Sequence, residues 1–167
     1  KLTVFGNLPY NISTEILSKW IVNINKNFWF ENLVLMFQKE VAERIIAKSN
    51  TSKYGRLSIL SNWKLNIEKI IDIKPQSFSP RPKVESTLLL FTPKENFFEL
   101  KDAKNLEMIT RVFFSQRRKM LKKPFNQVFN NAKEVADKFN IDLNLRPQNL
   151  EPEIYFKLVK EYEGLRR

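Results

Sequence analysis

The sequence contains no cysteine, no histidine and only three glycines among its 167 residues. Without cysteine, these residues form no disulfide bond, thiolate metal site or thiol nucleophile. Without histidine, they lack the commonest general base and zinc ligand as well. The three glycines, Gly6, Gly55 and Gly164, are too far apart to form a glycine-rich phosphate-binding loop. We therefore expect no metal site and a chemistry that proceeds without thiols or imidazoles.

Long apolar runs are also missing. No segment approaches the roughly 20 uninterrupted apolar residues of a membrane-spanning helix. Residues 1–5 lack the charged and then apolar pattern of a secretion signal. Hydrophobic residues nevertheless make up 43% of the sequence, which is enough for an ordinary core. These features predict a folded cytoplasmic protein.

Positive charge is abundant, and the formal net charge is +11. Such a charge favours a polyanionic partner, either nucleic acid or an anionic membrane surface. A compositional bias toward Lys, Asn, Ile and Phe also raises the net charge without any functional demand. A membrane-surface protein is the least favoured interpretation, because no helical pattern sets lysines on one face against bulky apolar residues on the other.

The first part of the chain alternates strand and helix patterns. Apolar runs at residues 2–5 and 33–37 predict two buried strands, and helical spacing follows each of them, at residues 12–24 and 39–48. This order predicts a parallel α/β sheet. Because the chain opens inside the first apolar run, we expect it to be a fragment that begins within a domain.

A second group of patterns follows a polar loop. Residues 57–63 form a short helix candidate, and residues 67–73 and 87–91 are strand candidates. The segment between these strands, residues 74–83, contains three prolines and is stiffened toward extended geometry. Two consecutive strands without an intervening helix predict an antiparallel hairpin at a sheet edge.

After Pro93 the pattern becomes helical throughout. The helix candidates cover residues 100–114, 120–129, 135–139 and 154–162. We therefore place a domain boundary near Asn96. Residues 1–96 would form part of an α/β domain, and residues 97–167 a small all-helical domain.

Four residues after the first strand carry the clearest chemistry: Asn7, Leu8, Pro9 and Tyr10. They lie at the carboxyl end of a parallel strand, where open α/β sheets bind ligands. The Asn7 amide oxygen and the Leu8 carbonyl can accept hydrogen bonds from the exocyclic amine of adenine, and Tyr10 offers a face for a flipped-out base. An ordinary strand-to-helix loop with a buried tyrosine is the alternative interpretation of the same four residues.

Five separate stretches resemble the ribosomal RNA adenine dimethylases. They are Asn-Leu-Pro-Tyr-Asn-Ile-Ser at 7–13, Phe-Gln-Lys-Glu-Val-Ala-Glu-Arg at 37–44, Tyr-Gly-Arg-Leu-Ser at 54–58, Phe-Ser-Pro-Arg-Pro-Lys-Val-Glu-Ser at 78–86 and Phe-Phe-Ser-Gln-Arg-Arg-Lys-Met-Leu at 113–121. The resemblance implies the Rossmann-like sheet of a class I S-adenosylmethionine-dependent methyltransferase, followed by a small helical domain. It also implies N6,N6-dimethylation of two adjacent adenosines near the 3′ end of small-subunit rRNA, and a role in small-subunit biogenesis.

Roles for the site residues follow from the same resemblance. Asn7, Leu8 and Pro9 would hold the target amine beside the cofactor methyl group, with Tyr10 against the adenine ring. Phe78, in the Phe-x-Pro-x-Pro loop, would close on the base. A core plug beneath a rigid loop is the alternative interpretation of Phe78.

Two basic segments are candidates for RNA contact. The first is a mobile loop with Lys53, Tyr54 and Arg56. The second places five cations within seven residues, a density that suits phosphate neutralisation: Arg117, Arg118, Lys119, Lys122 and Lys123. Solvated surface remains the alternative for both segments. Glu40 and Arg44, one helical turn apart, are expected to pair structurally.

The sequence departs from the family where S-adenosylmethionine would bind. The glycine-rich loop and the acidic residues that bind the cofactor's ribose and adenine are missing, so we expect this segment alone to bind the cofactor weakly or not at all. About 100 residues upstream would hold most of that site. We expect a monomer that binds the small ribosomal particle. The alternatives are a large-subunit rRNA adenine methyltransferase of the antibiotic-resistance type and a non-catalytic assembly factor that binds RNA.

Overall fold

The computed structural model describes residues 2–24 and 28–166. Its first part contains four strands and three helices: β1 (Thr3–Asn7), α1 (Ser13–Asn23), β2 (Asn32–Gln38), α2 (Lys39–Ile45), α3 (Arg56–Lys64), β3 (Leu65–Ile73) and β4 (Ser86–Pro93). Its second part is helical: α4 (Ala103–Ser115), α5 (Lys122–Val128), α6 (Ala132–Lys138) and α7 (Pro152–Leu165). Short 3-10 turns cover Pro75–Ser77 and Pro147–Asn149. The predicted change from strands to helices after Pro93 is confirmed for the described residues.

The four strands form one sheet in the order β1-β2-β4-β3. Strands β1 and β2 are parallel, whereas β4 is antiparallel to both of its neighbours. The parallel pair and the antiparallel hairpin are therefore confirmed. Only one strand of the hairpin, β3, lies at the sheet edge, because β4 inserts between β2 and β3. Strand β2 is buried from Leu33 to Phe37, as expected for a strand covered on both faces.

Strand β3 has the features of a protected edge. Most of its side chains are half-buried or exposed, and they include the charged residues Glu68 and Lys69. Its register with β4 shifts between Lys69 and Ile71, which marks a β-bulge. Edge charges and bulges both discourage pairing with another chain.

Helices α2 and α5 are each three residues shorter than the sequence pattern predicts. Helix α2 ends at Ile45. The sequence pattern predicts its end three residues later, at the start of the polar loop. Helix α5 begins at Lys122 rather than at Met120. Pro124 is its third residue, and proline is tolerated in the first turn because the N–H groups there have no intrahelical partner.

A continuous core joins the sheet to the helices that follow it. Helix α3 packs against both α4 and α7. Trp63 at the end of α3 donates from Nε1 to the Phe98 carbonyl at 2.7 Å. The boundary predicted near Asn96 thus falls in the segment that connects β4 to α4.

In residues 2–24 and 28–166, no helix has both the length and the apolar character needed to cross a membrane.

Candidate functional site

The candidate site begins where β1 ends. Asn7 is the last residue of β1 and pairs with Met36 of β2, so the sheet fixes its backbone. Leu8 packs against the core, whereas Asn7 and Pro9 are exposed. The Ile12 N–H donates to the Pro9 carbonyl at 3.1 Å, which turns the chain directly into α1.

Asn7 presents an unused amide at this position. Its side chain makes no hydrogen bond to any residue that the structure describes. The Pro9 ring fixes φ of the loop backbone, and its nitrogen carries no hydrogen to donate. The loop therefore offers two acceptor oxygens at the carboxyl end of a parallel strand, where ligands of open α/β sheets bind.

Tyr10 is hydrogen-bonded to the first residue of β4, which follows it by 76 positions in the sequence. Its hydroxyl lies 2.5 Å from the Ser86 Oγ, the first residue of β4. The ring is half-buried, and its backbone carbonyl accepts a 3.3 Å hydrogen bond from Ser13. The phenol end of the tyrosine is therefore anchored, and the residue stays partly exposed three positions after Asn7.

The proline-rich loop connects β3 to β4 and ends at Tyr10's partner. Phe78 in this loop is half-buried, and its N–H donates to the Pro75 carbonyl at 3.2 Å. The Ser79–Pro80 peptide bond is cis. No ring contact joins Phe78 to Tyr10 in the described part of the chain. The loop thus reaches Tyr10 through Ser86, and closure of Phe78 on a base stays a prediction.

A charged cluster fixes both ends of this loop. Lys39 Nζ lies 2.6 Å from the Glu85 carboxylate and 3.7 Å from Asp72, and the backbone N–H of Lys39 donates to the Glu85 carbonyl at 2.9 Å. Thr87 donates to the other Asp72 oxygen at 2.6 Å. The hydrogen bond to Glu85 raises the pKa of Lys39, and hydrogen bonds from Lys69 and Thr87 lower the pKa of Asp72. Sequence reasoning missed this cluster, because its members lie on three separate elements.

The expected pair on α2 is present. Arg44 donates to the Glu40 carboxylate at 2.9 Å, and both side chains are exposed. The hydrogen bond from Arg44 lowers the pKa of Glu40. The expected ion pair is therefore confirmed.

The structure corrects the expected role of Tyr54. Its side chain is 0% exposed, and its hydroxyl donates to the Leu150 carbonyl at 2.7 Å. Burial raises its pKa above the ordinary tyrosine range. Tyr54 therefore packs the helical part onto α3 and offers no surface to RNA. Lys53, which pairs with Glu43, and Arg56, the first residue of α3, are both exposed.

Arg117 is also turned toward the protein itself. Its guanidinium donates to the carbonyls of Thr51 and Ser52 at 3.1 and 2.5 Å, and to the Gln148 side chain at 3.3 Å. These bonds hold the loop before α3 against the helical part. The structure therefore gives Arg117 a clamping role where the charge pattern predicted a phosphate contact.

The other four predicted cations share one surface. Arg118, Lys119, Lys122 and Lys123 line an open groove of about 710 Å³. The groove is completed by five residues that sequence reasoning missed: Met120, Asn126, Gln127, Asn144 and Arg146. Arg146 and Asn144 come from the loop before α7, and the sequence contains no local signal for their approach. We call this set of nine residues the basic groove.

Within the described ranges, no group of three or more carboxylates is close enough to hold a metal ion.

Comparison with known proteins places the chain in a family. The family model described as ribosomal RNA adenine dimethylase matches residues 1–164. A ribosomal RNA small subunit methyltransferase A from Pelagibacter ubique is 82% identical over 166 residues, which are 99% of this chain and 63% of the relative. A protein of the same description from a Wolbachia strain of Drosophila simulans is 41% identical, over 97% of this chain and 58% of the relative. The chain thus spans about six tenths of these relatives.

Two solved structures share the fold. A dimethyladenosine transferase from Plasmodium falciparum superposes with a TM-score of 0.79 and 27% identity, over 97% of this chain and 66% of that one. The 23S rRNA methyltransferase ErmE superposes with a TM-score of 0.64 and 18% identity, over 97% of this chain and 65% of that one, which shows the fold alone. They confirm the predicted Rossmann-like methyltransferase fold. Given the family match along nearly its whole length, this chain belongs to the ribosomal RNA adenine dimethylase family.

Proposed function

We propose that the protein containing this chain dimethylates two adjacent adenosines near the 3′ end of small-subunit rRNA, at N6, and takes part in small-subunit biogenesis. The observation that carries the proposal is the exposed amide of Asn7, which has no hydrogen-bond partner among the described residues, in the same loop as the anchored ring of Tyr10. Family membership and the 82% identical relative support the same reaction.

The chemistry of the site residues fits the acceptor side of such a reaction. S-adenosylmethionine, when bound, would supply the methyl group from its sulfonium sulfur, which would leave as a thioether. The Asn7 oxygen and the Leu8 carbonyl would accept the two N–H groups of the adenine amine and draw its nitrogen toward tetrahedral geometry. Pro9 keeps the loop stiff, and Tyr10 stacks on the ring. The rate enhancement comes from positioning and electrostatics, because no strong base is required.

The residues present fit one end of the cofactor only. Asn7, Leu8 and Pro9 would lie beside its methyl group, but scattered glycines provide no cradle for the rest of the molecule. We propose that most of the cofactor site belongs to residues upstream of this chain. A segment without them would bind S-adenosylmethionine weakly or not at all.

The basic groove is the proposed contact for rRNA in the small ribosomal particle. Its five cations lie on one surface, and a cluster of this density neutralises several phosphates. Lys53 and Arg56 are proposed to extend the contact toward α3. We further propose that residues 1–96 belong to the catalytic domain and that residues 97–167 form a helical RNA-binding domain that follows it in the sequence. We also propose that the protein works as a cytoplasmic monomer.

The test follows methyl transfer by the full-length protein. Labelled S-adenosylmethionine would be incubated with small ribosomal subunits that lack the modification, and the label would be mapped in the RNA. Asn7→Ala should lower incorporation by about 10²–10³, the usual cost of one lost charge-stabilising contact. Asn66→Ala, an exposed asparagine on β3, is the matched control and should leave incorporation unchanged.

Three outcomes would change the proposal. Label in large-subunit RNA alone would identify the resistance-type reaction instead. Tight binding of the particle without transfer would identify an assembly factor. Unaltered incorporation by Asn7→Ala would remove the loop from the reaction.

A further inference from the structure

We propose that Ser86 is a positioning residue: its hydroxyl fixes the ring of Tyr10 against which the target adenine stacks. The inference rests on the proposed function and extends it to a residue outside the Asn7–Tyr10 loop. Ser86 would not touch the substrate. It would act through Tyr10.

Ser86 itself has almost no freedom to move. It is 0% exposed, and as the first residue of β4 it pairs with Gln38 of β2 on one side and Ile73 of β3 on the other. An inner strand held by two ladders fixes its backbone. Its Oγ lies 2.5 Å from the Tyr10 hydroxyl, a short distance for a hydrogen bond between hydroxyls.

Tyr10 needs such an anchor because its own loop fixes the backbone of the residue but not the phenol end of its side chain. It lies in the turn between β1 and α1, and the ring is half-buried. A tyrosine side chain has two soft torsions, so fixing the backbone leaves the ring plane undetermined. A hydrogen bond at the phenol oxygen, the atom farthest from the backbone, restricts both torsions together. The ring face is then set before any base arrives, which lowers the ordering cost of stacking.

The same anchor also couples Tyr10 to the Phe78 loop. Glu85, the residue before Ser86, is bound by Lys39 through its side chain and its carbonyl. Asp72, near the other end of the loop, meets both Lys39 and Thr87. The loop therefore starts and ends at fixed points, and its last fixed point is the partner of Tyr10. Both aromatic residues proposed to meet the base thus share one support.

The first measurement of the test needs neither RNA nor cofactor. Full-length protein labelled with 3-fluorotyrosine would be studied by fluorine NMR, and the Tyr10 signal would be assigned by its loss in Tyr10→Phe. Ser86→Ala should shift and narrow this signal, because the ring gains mobility. Ser86→Thr, which keeps the hydroxyl, should leave it close to the wild-type position. Ser61→Ala is the matched control: Ser61 is also a buried serine, and its hydroxyl has no hydrogen-bond partner among the residues that the structure describes.

The second measurement follows the reaction on small subunits under single-turnover conditions. Ser86→Ala and Tyr10→Phe should each slow methyl transfer by about tenfold, the scale expected for a misplaced reactant. The double variant should be no slower than the slower single variant, because both changes remove one interaction. Ser86→Thr should recover most of the rate, and cofactor affinity should be unchanged in every variant.

The two proposals fail in different ways. An unchanged Tyr10 signal in Ser86→Ala, or rates whose losses multiply in the double variant, would overturn the positioning role. A wild-type protein that transfers no methyl group to adenosine would overturn the proposed function, and the NMR comparison would still decide whether Ser86 fixes the Tyr10 ring.

Discussion

The ammonium of Lys64, at the end of α3, donates a 2.6 Å hydrogen bond to the carbonyl of Ile24, just beyond the last residue of α1. It also reaches the Val22 carbonyl at 3.3 Å and lies 4.0 Å from the centre of the Trp63 ring. The side chain is 4% exposed. A buried cation therefore closes the carboxyl end of α1, where unpaired carbonyls carry the negative end of the helix dipole.

Burial of Lys64 makes the free energy of unfolding vary with pH in the alkaline range. Burial lowers the pKa of Lys64 from 10.5 to about 8. The unfolded chain then binds the proton more tightly than the folded chain, so the Lys64 contribution to stability rises as pH increases from about 8 to 10.5. Relative to Lys64→Met, which does not titrate, the free energy of unfolding should gain up to about 3 kcal/mol over this range. Urea unfolding of both proteins across the range measures the gain, and parallel curves would contradict the prediction.

Stability at acid pH should depend on Glu163. Its carboxylate, on α7, accepts the N–H groups of Lys101 and Asp102 at 2.9 and 3.1 Å and the Asn105 amide at 2.9 Å. Burial raises the pKa of Glu163, but the bonds from Asn105, Lys101 and Asp102 together hold it below its usual value. Its contribution is therefore fully present above the unfolded pKa and is lost as pH falls through the lower folded pKa.

The corresponding variant is Glu163→Gln. It should lower the free energy of unfolding by about 1–3 kcal/mol at pH 7, because buried donors lose a charged acceptor. The difference should shrink as pH falls below about 4.5, where the unfolded wild-type carboxyl becomes protonated. Glu153→Gln on the same helix breaks an exposed pair with Lys157 and is the control, with an expected change below about 0.5 kcal/mol. Equal losses in the two variants would refute the role of Glu163.

A salt titration should distinguish the RNA-binding role of the basic groove from the structural role of Arg117. Lys122→Gln or Lys123→Gln in the full-length protein should lower the slope of log Kd against log salt by about 1 each on small ribosomal subunits. Arg117→Gln should lower Tm instead, since its donors hold the Thr51 and Ser52 carbonyls, and should leave the slope unchanged. A reduced slope in Arg117→Gln would restore this arginine to the RNA contact.

Tyr54→Phe tests the correction to the basic loop. Removing the hydroxyl leaves the buried Leu150 carbonyl without its partner, which should cost about 1–2 kcal/mol in the free energy of unfolding. RNA affinity measured below the unfolding transition should equal that of the wild type. A weaker affinity with unchanged stability would show that Tyr54 contacts RNA after all.

Local pattern was sufficient for most elements of the fold. Apolar runs and helical spacing located the buried strand β2 and the helices α1 and α3, because each pattern needs only neighbouring residues. The Asn7–Tyr10 loop was located by its place after a strand and by its residue types. The insertion of β4 between β2 and β3 had no such signal, since it depends on pairing between residues about 50 positions apart.

Long-range contacts explain the failures at the site as well. The sequence cannot distinguish an arginine that binds phosphate from one that binds a distant carbonyl, and Arg117 binds carbonyls 65 and 66 residues away. The polar neighbours of Tyr54 predict a surface loop, yet its hydroxyl donates to the Leu150 carbonyl in the core. Ser86 and Tyr10, 76 residues apart, were each visible in a motif, but nothing local pairs them.

The inner position of β4 has a consequence for synthesis on the ribosome. Strand β2 is synthesised about 50 residues before β4, and one of its ladders has no partner until residues 86–93 follow it. Strand β3 appears before β4 but, among the described strands, pairs with β4 alone, so β3 cannot cover the open edge of β2 in the meantime. The nascent chain therefore carries an exposed apolar edge through the synthesis of about 50 residues, and the hairpin closes it in one event. Slow translation across the proline-rich loop would lengthen the interval in which this edge can aggregate.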